Sequence, residues 1–196
     1  MIAQRKRAQR PPKQRGKAEE LLRYALGDSA LGPVLVASSA KGVAAILIEQ
    51  EAEHLLPKLQ RKFPAAHLID DQRGQAGLLK KIVKFIADPA RGLDVALDIR
   101  GTPFQQKVLR AICAIPPGKT ASYSDIAIKI GAPRAARAVG TVCAHNTLAI
   151  AMPCHRILHK DGSPLEGYHW GGNQQLMLIA REQSSKNPAR KMPRPR

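Results

Sequence analysis

The sequence contains no run of eighteen apolar residues, so no segment of it can cross a bilayer as a helix. It also lacks the apolar stretch of a secretory leader, because the basic first residues run straight into "PPKQRGKAEE". Both absences lead to the expectation of a soluble protein, cytoplasmic or nucleoid-associated, with no membrane partner. Cysteine is scarce: Cys113, Cys143 and Cys154 are the three present, all in the C-terminal half. An odd number excludes a simple disulfide framework, and the lack of any CxxC pair removes the usual spacing of a structural zinc site. Reduced thiols and no metal are expected. Acidic residues are missing from both ends: residues 1–17 carry seven Lys and Arg, and residues 183–196 carry five. Most of the formal charge of +17 therefore sits in two tails, leaving twenty basic residues against fifteen acidic ones between them. Tails rich in Pro, Gln and Arg and poor in apolar residues are expected to be disordered and to attract phosphate backbones in a salt-sensitive way. A merely solubilising role is the alternative.

Between the tails, the pattern divides near residue 100. The expected layout is a basic tail over 1–18, an α/β domain over 19–99, a mostly helical domain over 100–183 and a second basic tail over 184–196. In the first half, Val34–Ala37 and Val43–Ile48 flank a polar turn ending at Gly42, which predicts a β-hairpin. "EAEHLLPKLQRKF" and "GQAGLLKKIVKFIADP" carry apolar residues at helical spacing, with Lys80, Lys81 and Lys84 on the opposite face of the second. "LDVALDI" alternates and is predicted to return as a strand. His54 and His67 are isolated and read as ordinary histidines, and this half shows no cluster suited to chemistry.

The second half opens with Thr102 as an N-cap and Pro103 in the first turn of a helix, whose stripe is Phe104, Val108, Ile112 and Ile115 with Leu109 alongside. Cys113 lies beside that stripe as a small buried hydrophobe. Ser122 and Asp125 form a helix-start box, Gly131 ends a short helix, and Pro133 is placed in the first turn of the next. A short helix, a Gly-containing turn and a second helix bearing Arg134 and Arg137 make a helix-turn-helix pattern. The second helix is built of small residues, Ala135, Ala136, Ala138, Gly140 and Ala144 among them. Its cationic face points to water or to a polyanion. Cys143, on the same helix, reads as packing.

"AMPCHRIL" places Cys154 beside His155. Adjacency alone leaves an inert thiol, a metal ligand and a nucleophile all open, because consecutive side chains do not automatically face each other. A thiol acts as a nucleophile only as thiolate, which requires a base or cation nearby and a group to orient that base. Glu182 is a candidate for the orienting group.

Taken together, "TPFQQKVLRAICAIPPGKTASYSDIA", "GAPRAARAVGTVCAHN", "MPCHRIL" and "GYHWG" occur in one order and at one set of spacings. They resemble the O6-alkylguanine-DNA alkyltransferase family, especially the C-terminal alkyltransferase half of the Ada adaptive-response protein, over about residues 20–184. The resemblance implies an RNase-H-like α/β domain followed by a helical domain with a helix-turn-helix. It implies single-turnover repair of double-stranded alkylated DNA by a monomer with no cofactor, the alkyl group passing from O6 of guanine, or O4 of thymine, to Cys154. His155 would act as the base through a water, Glu182 would orient it, Asn146 would brace the approach to the cysteine, and Tyr123 would donate to the departing guanine. Arg137 would fill the space left by the flipped base, with Arg134, Ala136, Gly140 and Tyr123 at the DNA. Tyr168, Met152, Gly167 and Trp170 would line the pocket. The loop carrying His159, Glu166 and His169 fits the pattern less neatly, with Glu166 a solvated residue on the plain reading. The zinc-bound cysteine cluster of Ada that repairs phosphotriesters has no counterpart here, so that activity and transcriptional switching are not expected. A binding protein that marks alkylated bases is the second reading, although such relatives lack the acceptor cysteine. A cysteine hydrolase is the third and has no oxyanion-hole signal.

Overall fold

Alternation of apolar residues builds a sheet buried on both faces. In the computed structural model, which describes residues 20–169 and 171–184, strands β1 (Glu20–Ser29), β2 (Gly32–Ser39), β3 (Gly42–Ile48) and β4 (Ala66–Asp70) lie in the order β3-β2-β1-β4. β1–β2 and β2–β3 pair antiparallel, and β4 joins β1 in parallel. The predicted hairpin is β2–β3, and β1 and β4 are additions to it. Gly42 sits at φ +135, where a Cβ would lie 2.4 Å from the carbonyl oxygen of Ala96, so only glycine fits this turn.

Side chains alternate across a strand. Leu35, Ala37, Ala45 and Leu47 therefore face helix α1 (Leu55–Lys62) in one cluster with Leu22, Leu55 and Leu59. Val34, Val36, Ile46 and Ile48 face the other way, against Ile82 and Ile86 of helix α2 (Ala76–Ala87). That second cluster continues without a break into Val108, Ile112, Ile126 and Val139 of the C-terminal helices. Each half thus completes the other's core. The fold is mixed α/β, with four strands and six α-helices among the described residues, and none of those helices is long and apolar enough to cross a membrane.

The strand predicted over "LDVALDI" does not form. One bridge joins Val43 to Leu97, with the Val43 amide donating to Ala96 O at 2.9 Å and the Asp98 amide donating to Val43 O at 2.8 Å. The next position along β3 is already taken: Ile46 donates to Thr147 O at 2.8 Å and accepts from Ala149 N at 3.0 Å. The edge of β3 is therefore divided between two segments, and the second of these leads to Cys154.

Helix α3 (Pro103–Cys113) begins at a capping box in which Thr102 and Gln105 bond reciprocally, and α4 (Tyr123–Lys129) begins at a second box of Ser122 and Asp125. Pro133 is not in the first turn of α5 (Ala136–Ala144). The Ala135 amide donates to Ala132 O at 2.9 Å, closing a turn around Pro133 and Arg134. Proline's fixed φ suits the second position of such a turn, so the helix starts three residues after it. Helix α6 (Gly172–Ser184) closes the chain as described. Both predicted tails lie outside the described residues, apart from Ser184 at the end of α6.

Candidate active site

Residues 146–156 follow α5, touch the edge of β3 at Thr147 and Ala149, and fold into a braced loop. Asn146 accepts from the Leu148 amide at 2.9 Å and donates through Nδ2 to Met152 O at 3.1 Å, with the same amide nitrogen 3.5 Å from Cys154 Sγ. Ile150 takes φ +63, a strained backbone for a β-branched residue, and among the described residues it is the one non-glycine with positive φ. Short bonds on either side hold it: Ala151 N to Ala149 O at 2.6 Å and Met152 N to Leu148 O at 2.9 Å. This bend places Cys154 at the start of a 3-10 turn, Cys154–Arg156, at the wall of a cavity of about 310 Å³.

Behind the turn, His155, Arg156 and Glu182 are all buried. Glu182 accepts from His155 Nε2 at 2.8 Å, from Arg156 Nε at 3.0 Å and Nη2 at 2.8 Å, and from the Gly118 amide at 2.8 Å. Arg156 Nη1 donates to Ile115 O. Burial alone would raise the Glu182 carboxyl, but the bonds from His155 and Arg156 outweigh it and hold the pKa at about 2. An ionised Glu182 only accepts, so His155 carries its hydrogen on Nε2 and presents a bare lone pair at Nδ1. His155 Nδ1 is buried and has no hydrogen-bond partner in the protein. Burial lowers the His155 pKa against the pull of Glu182, so the imidazole is neutral at pH 7.

Cys154 itself is held as a thiol. Contact with Cys143 and burial raise its pKa well above the ordinary range, while the Asn146 amide acts in the opposite sense. Cys113, predicted as packing, is 3.1 Å from Met152 Sδ, and burial pushes its thiol up to about 12. Met152 is buried and lines the cavity between these two sulfur groups.

The cavity's other wall comes from α4 and α5. Tyr123, the first residue of α4, stands over Gly140, where an added Cβ would come 3.4 Å from the ring. Burial, then Cys143 and Cys154, push the Tyr123 hydroxyl up to about 12, so it remains a donor. The start of α4 is tied to the cysteine segment by Ala121 N to Arg156 O at 3.0 Å and Leu158 N to Ala121 O at 2.9 Å. Arg134 and Arg137 are exposed on the turn and first helical turn before that wall, and neither guanidinium has an ion-pair partner among the described residues. Ala136 lies half-buried beside them. Gly167 and Tyr168 complete the lining; Trp170 lies outside the described residues.

A thiol, an imidazole and a phenol thus meet at one small cavity, with a buried carboxylate behind the imidazole. Residues 103–184 match the model of the 6-O-methylguanine DNA methyltransferase DNA-binding domain. The chain is 36% identical over 165 residues to the methylated-DNA--protein-cysteine methyltransferase of Mycobacterium tuberculosis, covering 84% of this chain and 94% of that protein. It belongs to the methylated-DNA--protein-cysteine methyltransferase family. It is also 42% identical over 161 residues to the bifunctional transcriptional activator/DNA repair enzyme Ada of Escherichia coli, and there it spans 45% of the relative's length. The crystal structure of the M. tuberculosis O6-methylguanine methyltransferase superposes with a TM-score of 0.69 at 36% identity, over 86% of this chain and 96% of that one. A second M. tuberculosis structure, in complex with DNA, superposes with a TM-score of 0.68 over 83% and 93%.

Within this methyltransferase-family chain, several contributors had no local signal. Arg156 was quoted only as part of a motif, yet it is the buried counter-charge to Glu182. Gln175 is fully buried, donating to His155 O at 3.2 Å and to Ile157 O and accepting from Leu165 N at 3.0 Å. Nothing local in the sequence distinguishes Gln175 from its neighbour Gln174, since both sit in the same polar start of α6. Cys143, read as packing, stands in the cavity against Cys154. The first half, read as free of chemistry, supplies Ile46, Ile48, Lys58 and Lys62 to the cavity. Glu166 is exposed, as the solvated reading has it, and so is His159, whereas His169 reaches the cavity rim. Among the described residues one trio, Glu51, Glu53 and His54, brings potential metal-ligand atoms together, and it is exposed and away from the cavity.

Proposed function

We propose that this protein repairs double-stranded DNA by accepting the alkyl group of O6-alkylguanine, and of O4-alkylthymine, onto Cys154 Sγ, once per molecule and without a cofactor. The observation that carries this reading is the bare Nδ1 of a buried, neutral His155 beside a thiol kept protonated in the same cavity. A water between His155 Nδ1 and Cys154 Sγ takes the thiol proton to the imidazole, and Glu182 supports the imidazolium that forms. The sulfur then attacks the alkyl carbon. The new S–C bond forms as the C–O bond breaks, the bonding electrons stay with the guanine, and the base takes a proton from the Tyr123 hydroxyl, which the proton held on the His155 imidazolium then replaces through water. The thioether product has no route back to a thiol, so the protein is consumed.

O6 of guanine is unreachable inside a duplex, so the nucleotide turns out of the stack at a cost of a few kcal/mol. α4 and α5 serve as the helix-turn-helix, approaching through the minor groove, with Ala136 and Gly140 permitting close contact. Arg137 enters the stack in place of the base, and Arg134 meets the backbone. The N-terminal half takes the role of an RNase-H-like domain over 19–99, beside the DNA-binding domain over 100–183. The protein works as a monomer in the cytoplasm, at the nucleoid, and the basic tails add salt-sensitive attraction to DNA.

Intact-protein mass after mixing with a duplex containing one O6-methylguanine tests the reaction. One methyl-sized gain per molecule, stopping there, is expected; tight binding to the damaged duplex without any gain would overturn it in favour of a damage marker. Arg137→Ala is expected to react on the order of tenfold more slowly with subsaturating duplex, as for the loss of about 1.4 kcal/mol of support for the flipped state. Its Cys154 should still react with a small thiol reagent. Because burial lowers the His155 pKa below its ordinary value of 6.5, the single-turnover rate should hold from pH 8 down to that value and fall only below it. An acid limb centred above pH 6.5 would contradict a buried neutral base.

A further inference from the structure

One cation on the wall of the cavity has no part in alkyl transfer. Lys62 is the last residue of α1, in the first half of the chain, and lines the cavity together with Lys58 and Ala144. Lys58 is matched by Glu49. Lys62 is half-buried and, among the described residues, makes no hydrogen bond or ion pair. Burial, then the charges of Lys58 and Arg61, lower its pKa, and no carboxylate acts in the opposite sense. Among the described residues no Asp or Glu lines the cavity. Lys62 also lines an adjoining groove with His145 and Asn146, where Glu20 is the one acid and is taken up by Arg100.

The place of Lys62 beside α5 shows which anion reaches it. Arg137, Thr141, Ala144 and His145 are exposed and fall at helical spacing, so they share one face of α5. From Arg137 to Ala144 that face runs roughly 10 Å at 1.5 Å per residue. Ala144 and His145 end it, and each shares a wall with Lys62, the first in the cavity and the second in the groove. A basic line therefore runs from Arg134 and Arg137 off the end of α5 and onto α1. We propose that Lys62 binds a backbone phosphate of the strand that carries the flipped nucleotide, so that the first half of the chain holds DNA as well as the second. This rests on the DNA-repair reading above. A nucleotide whose base enters the cavity brings its phosphates to the mouth. Three phosphate spacings of one strand cover roughly 10 Å of duplex at 3.4 Å each, which matches the length of the exposed face. A phosphate there supplies Lys62 with the counter-charge that the folded chain does not.

The test is single-turnover alkyl transfer from a duplex containing one O6-methylguanine, followed from about 50 to 200 mM salt in the parent, Lys62→Met, Lys62→Arg and Lys80→Met. Each phosphate contact contributes about 0.9 to the slope of log affinity against log salt. Lys62→Met should therefore flatten the salt dependence of the half-saturating duplex concentration by about 0.9, and its deficit against the parent should shrink about 3.5-fold across that range. The limiting rate at saturating duplex should stay within about twofold of the parent's, and Lys62→Arg should keep the parent's slope. A lysine that only complements the carboxyl end of α1 would shift the thermal midpoint and leave the salt slope unchanged. An unchanged slope in Lys62→Met would overturn the proposal. So would an equal flattening in Lys80→Met, because Lys80 is exposed on α2 and lines no part of the cavity, and net charge alone would then explain the effect. Lys62→Gln serves the same comparison should Lys62→Met not fold. If the parent gains no mass, the alkyl-transfer reading fails, and equilibrium binding of the same duplex reads the Lys62 slope in its place. A parent that does not bind that duplex would overturn both.

Discussion

Cys154→Ala is expected to show no alkyl gain at all on methylated duplex while binding that duplex with an affinity close to the parent's. The binding surface proposed above, Arg134 and Arg137 on the turn and on α5, does not include the thiol, and the hydrogen bonds that brace the loop do not involve the sulfur. The total loss follows from the geometry of the two remaining thiols. Cys113 is held as a thiol at about 12 and packs on Met152 behind the cavity. Cys143 lies in the cavity but on α5, whereas the Asn146 amide 3.5 Å from sulfur and the turn that carries the His155 imidazole belong to Cys154. Intact mass and peptide mapping check this. A methyl-sized gain on Cys143 in the variant would show that proximity to the base, rather than the braced position, selects the acceptor.

The same geometry explains what the sequence made legible. Features written in adjacent residues were readable: the β2–β3 hairpin with its glycine turn, the Thr102 and Ser122 capping boxes, and the amphipathic α2. β1 and β4 were not, because the five-residue β4 pairs in parallel with a strand some forty residues earlier and no turn announces it. "LDVALDI" had a strand's alternation and lost the competition for the edge of β3 to residues 147–149, a contest only the folded chain decides. The site divides in the same way. Cys154 and His155 stood out by adjacency, Glu182 as a carboxylate that could orient the imidazole and Asn146 through motif resemblance, and the structure brings all four together. Lys58 and His169 are each ordinary in their local context, and their contact, Nζ to Nε2 at 3.0 Å, spans 111 residues of separation.

The largest effect on stability is expected at Glu182. Glu182→Gln keeps the shape of the side chain but removes the one negative charge facing Arg156, which is 3% exposed. Taking away one partner of a buried pair costs about 3–5 kcal/mol, because the remaining charge stays desolvated and unmatched. Against a total of roughly 5–15 kcal/mol for a typical domain, that is a large fraction, and urea unfolding at pH 7 measures it. The parent's pH dependence follows from the same network. A carboxyl depressed to about 2 from its ordinary value of 4.5 contributes stability that is present above 4.5 and lost as pH falls towards 2. His155 acts earlier: its folded pKa is lowered, so protonation favours the unfolded chain and stability declines as pH falls below 6.5. Glu182→Gln should lack the loss between 4.5 and 2. The double variant Glu182→Gln with Arg156→Met separates charge from contact. If the cost lies in the uncompensated guanidinium, the pair should be less damaging than Glu182→Gln alone, even though the Gly118 amide and Ile115 carbonyl lose charged partners. Alkyl transfer should not return with the recovered stability, because the carboxylate that fixes the His155 tautomer is still missing. A double variant as unstable as the single one would place the cost in the lost hydrogen bonds and not in the buried charge.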